Sequence, residues 1–213
     1  KESLKEYLKT KLENQNIDNI DEKFENLFSY EIAENPFKGN VTITKSIIKH
    51  INELKAIDPA VGSGAFPMGM LQKLVFILSK LDPTNELWKE LQLENALKET
   101  EETLKSKEKN KKEKEEILKD INEVFDENIN NPDYARKLYL IENCLYGIDI
   151  QPIAIQIAKL RFFISLVLEQ NIDREKDNFG IRPLPNLETK LISANTLIGL
   201  KKGDRHGNGK EAF

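Results

Sequence analysis

Residues 56–66 read AIDPAVGSGAF: a short apolar strand closed by an acid, a tight turn with two glycines, and the opening of a helix. Asp58 falls at the carboxyl end of the strand, while Gly62 and Gly64 let the backbone bend and approach a ligand closely. The helix that follows begins with unpaired N–H groups, a feature of cofactor pockets. Two later stretches repeat the pattern of a short strand ending in a polar residue, YGIDI at 146–150 and ISANTL at 192–197. Three such endings in chain order describe one side of a nucleotide-type crevice.

Outward from this turn, the flanking sequence predicts an α/β chain. Leu4, Leu8 and Leu12, then Ile20, Phe24, Leu27, Phe28 and Ile32, form two helical stripes that end near Asn35-Pro36. Ile47, Ile48, Ile51 and Leu54 place a further helix directly before the first strand. Residues 66–81 are apolar almost all round and belong against a sheet. A strand over 145–150 leads into a helix with Pro152 in its first turn and a buried stripe of Ile153, Ile157, Leu160, Ile164 and Val167. A charged, proline-containing loop over 171–185 precedes a third strand at 190–194.

Between Leu81 and Ile141 a long segment intervenes, and its stretch 105–116 has no apolar residue. Glu101/Lys105, Glu108/Lys112 and Glu115/Lys119 are Glu-before-Lys pairs at helical spacing. Leu87, Leu91 and Leu97 before it, and Ile117, Ile121 and Val124 after it, carry apolar stripes. The expected form is an inserted charged helical hairpin packed at its base only, with a tip that is either solvated helix or disordered, because such ion pairs contribute only a few tenths of a kcal/mol each against roughly 1–2 kcal/mol per residue of ordering entropy. The domain reading is a helical preface over 1–40, a core over 41–200 with the insertion at about 82–140, and a mobile tail over 201–213.

Composition narrows the function classes. The net charge of −4 gives no basic footprint for autonomous nucleic-acid binding. Cys144 is the single cysteine, which excludes an internal disulfide or cysteine-built metal site and fits a reducing, cytoplasmic setting. No apolar run is long enough to span a membrane, and no secretory signal opens the chain. Lys1 in place of Met, with an ending at GKEAF, suggests a piece excised from a longer protein.

The two common glycine-loop motifs do not fit. A dinucleotide fingerprint wants a third glycine where Pro67 stands, and a P-loop wants Gly-Lys-Ser/Thr. An acid before the glycines suits a cation or ammonium group instead. DPAVGSGAF, with YGIDIQPIAIQIAKLR and PLPNLETKLISANTL downstream, resembles the S-adenosylmethionine-dependent DNA adenine N6-methyltransferases, especially the methylase part of type IIG restriction-modification enzymes. The resemblance covers about residues 35–200 and implies a partial Rossmann-like methyltransferase sheet.

Carried over by residue, the resemblance implies that Asp58, Ala60, Gly62, Gly64 and Phe66 surround the methionine part of S-adenosyl-L-methionine. Asp149, with the adjoining Ile150, matches the second motif, whose carboxylate accepts hydrogen bonds from the ribose hydroxyls. Asn195 matches the third, at the cofactor's adenine edge. Each acid alone is also an ordinary turn cap; placement at successive strand ends favours the pocket. Thr42-Ile43-Thr44 replaces the family's Tyr-Thr-Pro.

The family's (Asn/Asp/Ser)-Pro-Pro-(Tyr/Phe) tetrapeptide, which holds the target amine and the flipped base, does not occur in this sequence. Asn35-Pro36-Phe37 and Asn131-Pro132-Asp133-Tyr134 read as turn and helix-boundary signals. The resemblance therefore implies a cofactor-binding part with no catalytic residue in this chain, inactive alone. Double-stranded DNA would be engaged through regions outside it, alongside the remaining methylase, recognition and any endonuclease parts. A second reading is a non-catalytic cofactor-binding scaffold whose insertion docks a partner. Trp88 reads as a packing anchor, and neither His50 nor His206 has a partner suggesting acid/base or metal chemistry.

Overall fold

The computed structural model describes residues 2–103, 107–126, 129–183 and 185–198. Three parallel strands, β1 (Ala56–Asp58), β2 (Leu145–Asp149) and β3 (Leu191–Ser193), form one sheet in the order β1-β2-β3. Eight helices accompany them among the described residues: α1 (Glu2–Lys11), α2 (Ile20–Phe28), α3 (Val41–Asn52), α4 (Ala65–Leu81), α5 (Glu86–Thr103), α6 (Lys107–Val124), α7 (Pro132–Asn143) and α8 (Pro152–Val167). This helix-rich arrangement around a small parallel sheet is compatible with part of an α/β methyltransferase fold.

Strand register sorts the side chains. Ile57 pairs with Tyr146, and Ile148 with Ile192, so these four share one face. Leu145, Gly147 and Leu191 lie on the other face and are buried with Ile155, Ala158 and Phe162 of α8 and Leu71 and Leu74 of α4. Ile57 and Ile192 remain exposed. The sheet thus has one well-packed face and one open face.

The N-terminal helices are shorter than the stripe suggests. α2 stops at Phe28, leaving Ile32 outside it and exposed. The cause is long-range: the buried Lys80 on α4 donates to the carbonyls of Asn26 at 2.9 Å and Ser29 at 2.5 Å, and Lys73 donates to Phe28 at 3.0 Å. These cations satisfy the last carbonyls of α2, where a helix has none of its own partners. Asn35-Pro36 instead forms a turn, with Phe37 N–H donating to Asn35 Oδ1 at 2.8 Å.

α5 and α6 follow α4 and contact each other. Trp88 is fully buried and meets Tyr139 edge-on at 5.4 Å, an anchor as expected. Leu97, placed on the apolar stripe, is exposed. Lys119 pairs with Glu123 at 3.8 Å and not with Glu115, because either direction along a helix face is within reach. The Glu101/Lys105 and Glu108/Lys112 pairs lie outside the described residues, as do the tail over 201–213 and His206.

The largest departure from the periodicity concerns α8. Ile153, Ile157, Leu160 and Ile164, expected as its buried stripe, face outward. The buried set is Ile155, Ala158, Lys159, Phe162 and Leu166. α8 is apolar on two sides, and the tighter interface selects the smaller residue. A Cβ added at Gly64 would lie 3.0 Å from Ala158 Cβ, so α8 packs against the bare backbone of the turn before α4 at this point.

Candidate functional site

The loops at the carboxyl ends of the three strands bring Asp58, Asp149 and Asn195 to one edge of the sheet. Asp58 closes β1 and Asp149 closes β2, with Asp58 opposite Gly147 and Asp149 opposite Ser193. Asn195 follows β3 by two residues. The glycine turn packs into this edge: Val61 N–H donates to Ile148 O at 2.9 Å, and Gly62 N–H donates to Asp149 Oδ2 at 2.8 Å. Gly62 and Gly64 have φ of 53° and 83°, values that favour glycine. Gly64 is the N-cap of α4, so the helix begins at the turn as the sequence suggests.

Each polar candidate also serves its own loop. Asp149 Oδ1 accepts from Gln151 N–H at 2.8 Å, and Asp58 Oδ1 accepts from Ala60 N–H at 3.1 Å. Asn195 Oδ1 accepts from Leu197 N–H at 3.0 Å. The turn-capping and pocket readings are therefore compatible, because a carboxylate offers about four acceptor sites and Asp149 uses two of them on the protein. Asp58 Oδ2 has no protein donor among the described residues. Thr196, which sequence patterning did not single out, links the third loop to the first through Oγ1 to Pro59 O at 3.3 Å.

Ala60, Phe66, Ile150 and Asn195 are exposed, and Asp58 and Asp149 are half-buried. Phe66 thus contributes little to the core and stands as an apolar surface beside the turn. The arrangement offers two carboxylates, one amide, the exposed start of α4, and apolar walls from Phe66 and Ile150. Such a set can accept hydrogen bonds from hydroxyl and ammonium groups while a helix N-terminus favours a carboxylate.

Of the remaining candidates, Asn131-Pro132 begins α7, with Asn131 as N-cap and Pro132 in the first turn. Asn40 Oδ1 caps α3 by accepting from Ile43 N–H at 3.1 Å, and Thr44 is buried. His50 Nδ1 lies 3.5 Å from Glu53. A cavity of about 510 Å³ lies apart from the strand ends, between α5, α6, α7 and Arg182, Pro183 and Pro185. Glu142 lines it, held above the usual carboxylate range by burial, and Arg182 there faces Asp120 at 3.3 Å. No helix among the described residues is long and apolar enough to cross a membrane.

No family model matches the chain, and no solved structure matches it. Over 199 residues the chain is 28% identical to a protein of Methanocaldococcus jannaschii named "Putative type II restriction enzyme and methyltransferase". The matched region covers 93% of this chain and 12% of that protein, so nearly the whole chain is similar to a short segment of a much longer polypeptide.

Proposed function

We propose that this chain is the S-adenosyl-L-methionine-binding part of a DNA methyltransferase from a cytoplasmic restriction-modification system. The observation that carries this reading is the bonding of the glycine turn to Asp149, which joins two successive strand ends into one edge. Similarity to the named M. jannaschii protein supports the reaction class. The sheet is read as part of a Rossmann-like methyltransferase fold, with 41–200 as the core, about 82–140 as its insertion and 1–40 as the preface.

In this reading Asp149 accepts from the ribose hydroxyls through its remaining acceptor sites, with Ile150 against the ring. Asp58, Ala60, Gly62 and Gly64 hold the methionine moiety at the start of α4, Phe66 walls it, and Asn195 meets the adenine edge. The cofactor supplies an activated methyl group; the residues here bind and orient it. Adenine N6 as acceptor rests on the resemblance of DPAVGSGAF and the later blocks. The group that receives the methyl, and double-stranded DNA itself, engage parts of the parent protein beyond these residues.

Equilibrium dialysis with labelled S-adenosylmethionine tests the proposal. Saturable uptake displaced by S-adenosylhomocysteine but not by NAD is expected, and no saturable uptake would remove the reading. Nucleoside analysis of DNA modified by the parent protein tests the acceptor: N6-methyladenine is expected, and N4-methylcytosine would replace it.

A further inference from the structure

We infer that the outward face of α8 is a docking surface for an amphipathic α-helix carrying carboxylates along its flank. Ile153, Ile157, Leu160 and Ile164 are 66%, 41%, 55% and 49% exposed, and the half-buried Val167 extends the row. Singly exposed apolar residues are ordinary, but a continuous stripe along a whole helix marks an interaction site. This surface is independent of the strand-end pocket and of its proposed cofactor.

Spacing and charge identify the partner. The five positions recur in alternating steps of four and three residues, the seam that receives the knobs of a second helix. α8 contains two charged residues, Lys159 and Arg161. Lys159 is buried and pairs with Glu188 at 2.8 Å. Arg161 is exposed beside the seam, with no ion pair among the described residues. A carboxylate on the incoming helix answers it, as charges flanking a seam set partner choice.

The same arginine disfavours a second copy of this chain. Arg161 follows Leu160, the central residue of the seam. In-register parallel pairing sets each Arg161 against Gln156 of the other copy, which offers it no carboxylate. Antiparallel pairing about Leu160 brings the two arginines close on one side of the seam. Like charges at such positions oppose association.

The test uses the full chain and two fluorescent synthetic helices of about three heptads with identical Leu/Ile seams, one flanked by Glu and the other by Lys. Fluorescence anisotropy is expected to show the Glu helix binding about two- to fivefold more tightly, in line with an exposed ion pair. Arg161→Glu should reverse that order, and Leu160→Asp should weaken both helices by at least about tenfold. Both substitutions are at exposed positions, and circular dichroism verifies the fold. Absence of binding, equal binding of the two helices, or indifference to Leu160→Asp would overturn the inference. So would a dimer in sedimentation velocity that Leu160→Asp dissolves, since a second copy would then cover the seam.

Discussion

The backbone N–H of Gly62 donates to Asp149 Oδ2 at 2.8 Å, while Asp149 Oδ1 accepts from Gln151 N–H at the same distance. One carboxylate therefore fixes both the glycine turn and the start of α8. Asp149→Asn presents an amide donor to one of those N–H groups, and the fold should lose about 1–3 kcal/mol. Asp58→Asn keeps the acceptor that Ala60 needs and should change stability by less than about 0.5 kcal/mol. Urea unfolding of the two variants measures the contrast, and equal effects would contradict it.

The two glycines of the turn should respond differently to alanine. Gly64 combines a φ of 83° with a Cβ position 3.0 Å from Ala158 Cβ, whereas Gly62 has a φ of 53° and nothing within 4 Å. Gly62→Ala carries the left-handed backbone penalty alone, about 1 kcal/mol. Gly64→Ala adds a clash between the turn and α8 and should cost about 2–4 kcal/mol. Thermal unfolding of both variants decides the order.

Burial pushes the Cys144 thiol up to about 11 from 9.0, against the opposing charges of Lys55 and Lys190. Its folded value lies above its unfolded value, so its contribution is fully present below pH 9 and is lost as pH rises through 11. The loss approaches roughly 2–3 kcal/mol. Comparing wild type with Cys144→Ala across this window cancels the other titrating groups. The wild type should lose stability faster, and parallel curves would refute the assignment.

Arg136 is buried and donates from Nη2 to Asp82 O at 2.5 Å and Pro83 O at 3.2 Å, with Asp133 paired at Nη1. It ties α7 to the turn that leaves α4. Arg136→Met fills the space but removes the donor to Pro83 O and leaves Asp82 O with Asn85 N–H alone, at 3.2 Å, and a loss of about 1–3 kcal/mol is expected by chemical denaturation.

The sequence made some of this plain and hid the rest for physical reasons. Ala56–Asp58 and Leu145–Asp149 were legible because an apolar run ending in an acid and followed by a helix signal has few alternatives. The burial of α8 was not, since Ile153, Ile157, Leu160 and Ile164 match a core stripe as well as Ile155, Ala158, Phe162 and Leu166 do. Contact with Gly64 decides between them, and that contact is tertiary. The end of α2 depends on Lys73 and Lys80, far along the chain. The bond from Gly62 N–H to Asp149 likewise has no local signature, unlike the turn that Asp149 makes with Gln151.

Calorimetric titration of S-adenosylmethionine into wild type and Asp149→Ala, each verified as folded by circular dichroism, addresses the pocket most directly. The wild type should bind saturably, and the variant should lose at least about tenfold in affinity through the hydrogen bonds its carboxylate would have accepted. Equal affinity in the folded variant would contradict the assignment of this strand-end edge as the cofactor site.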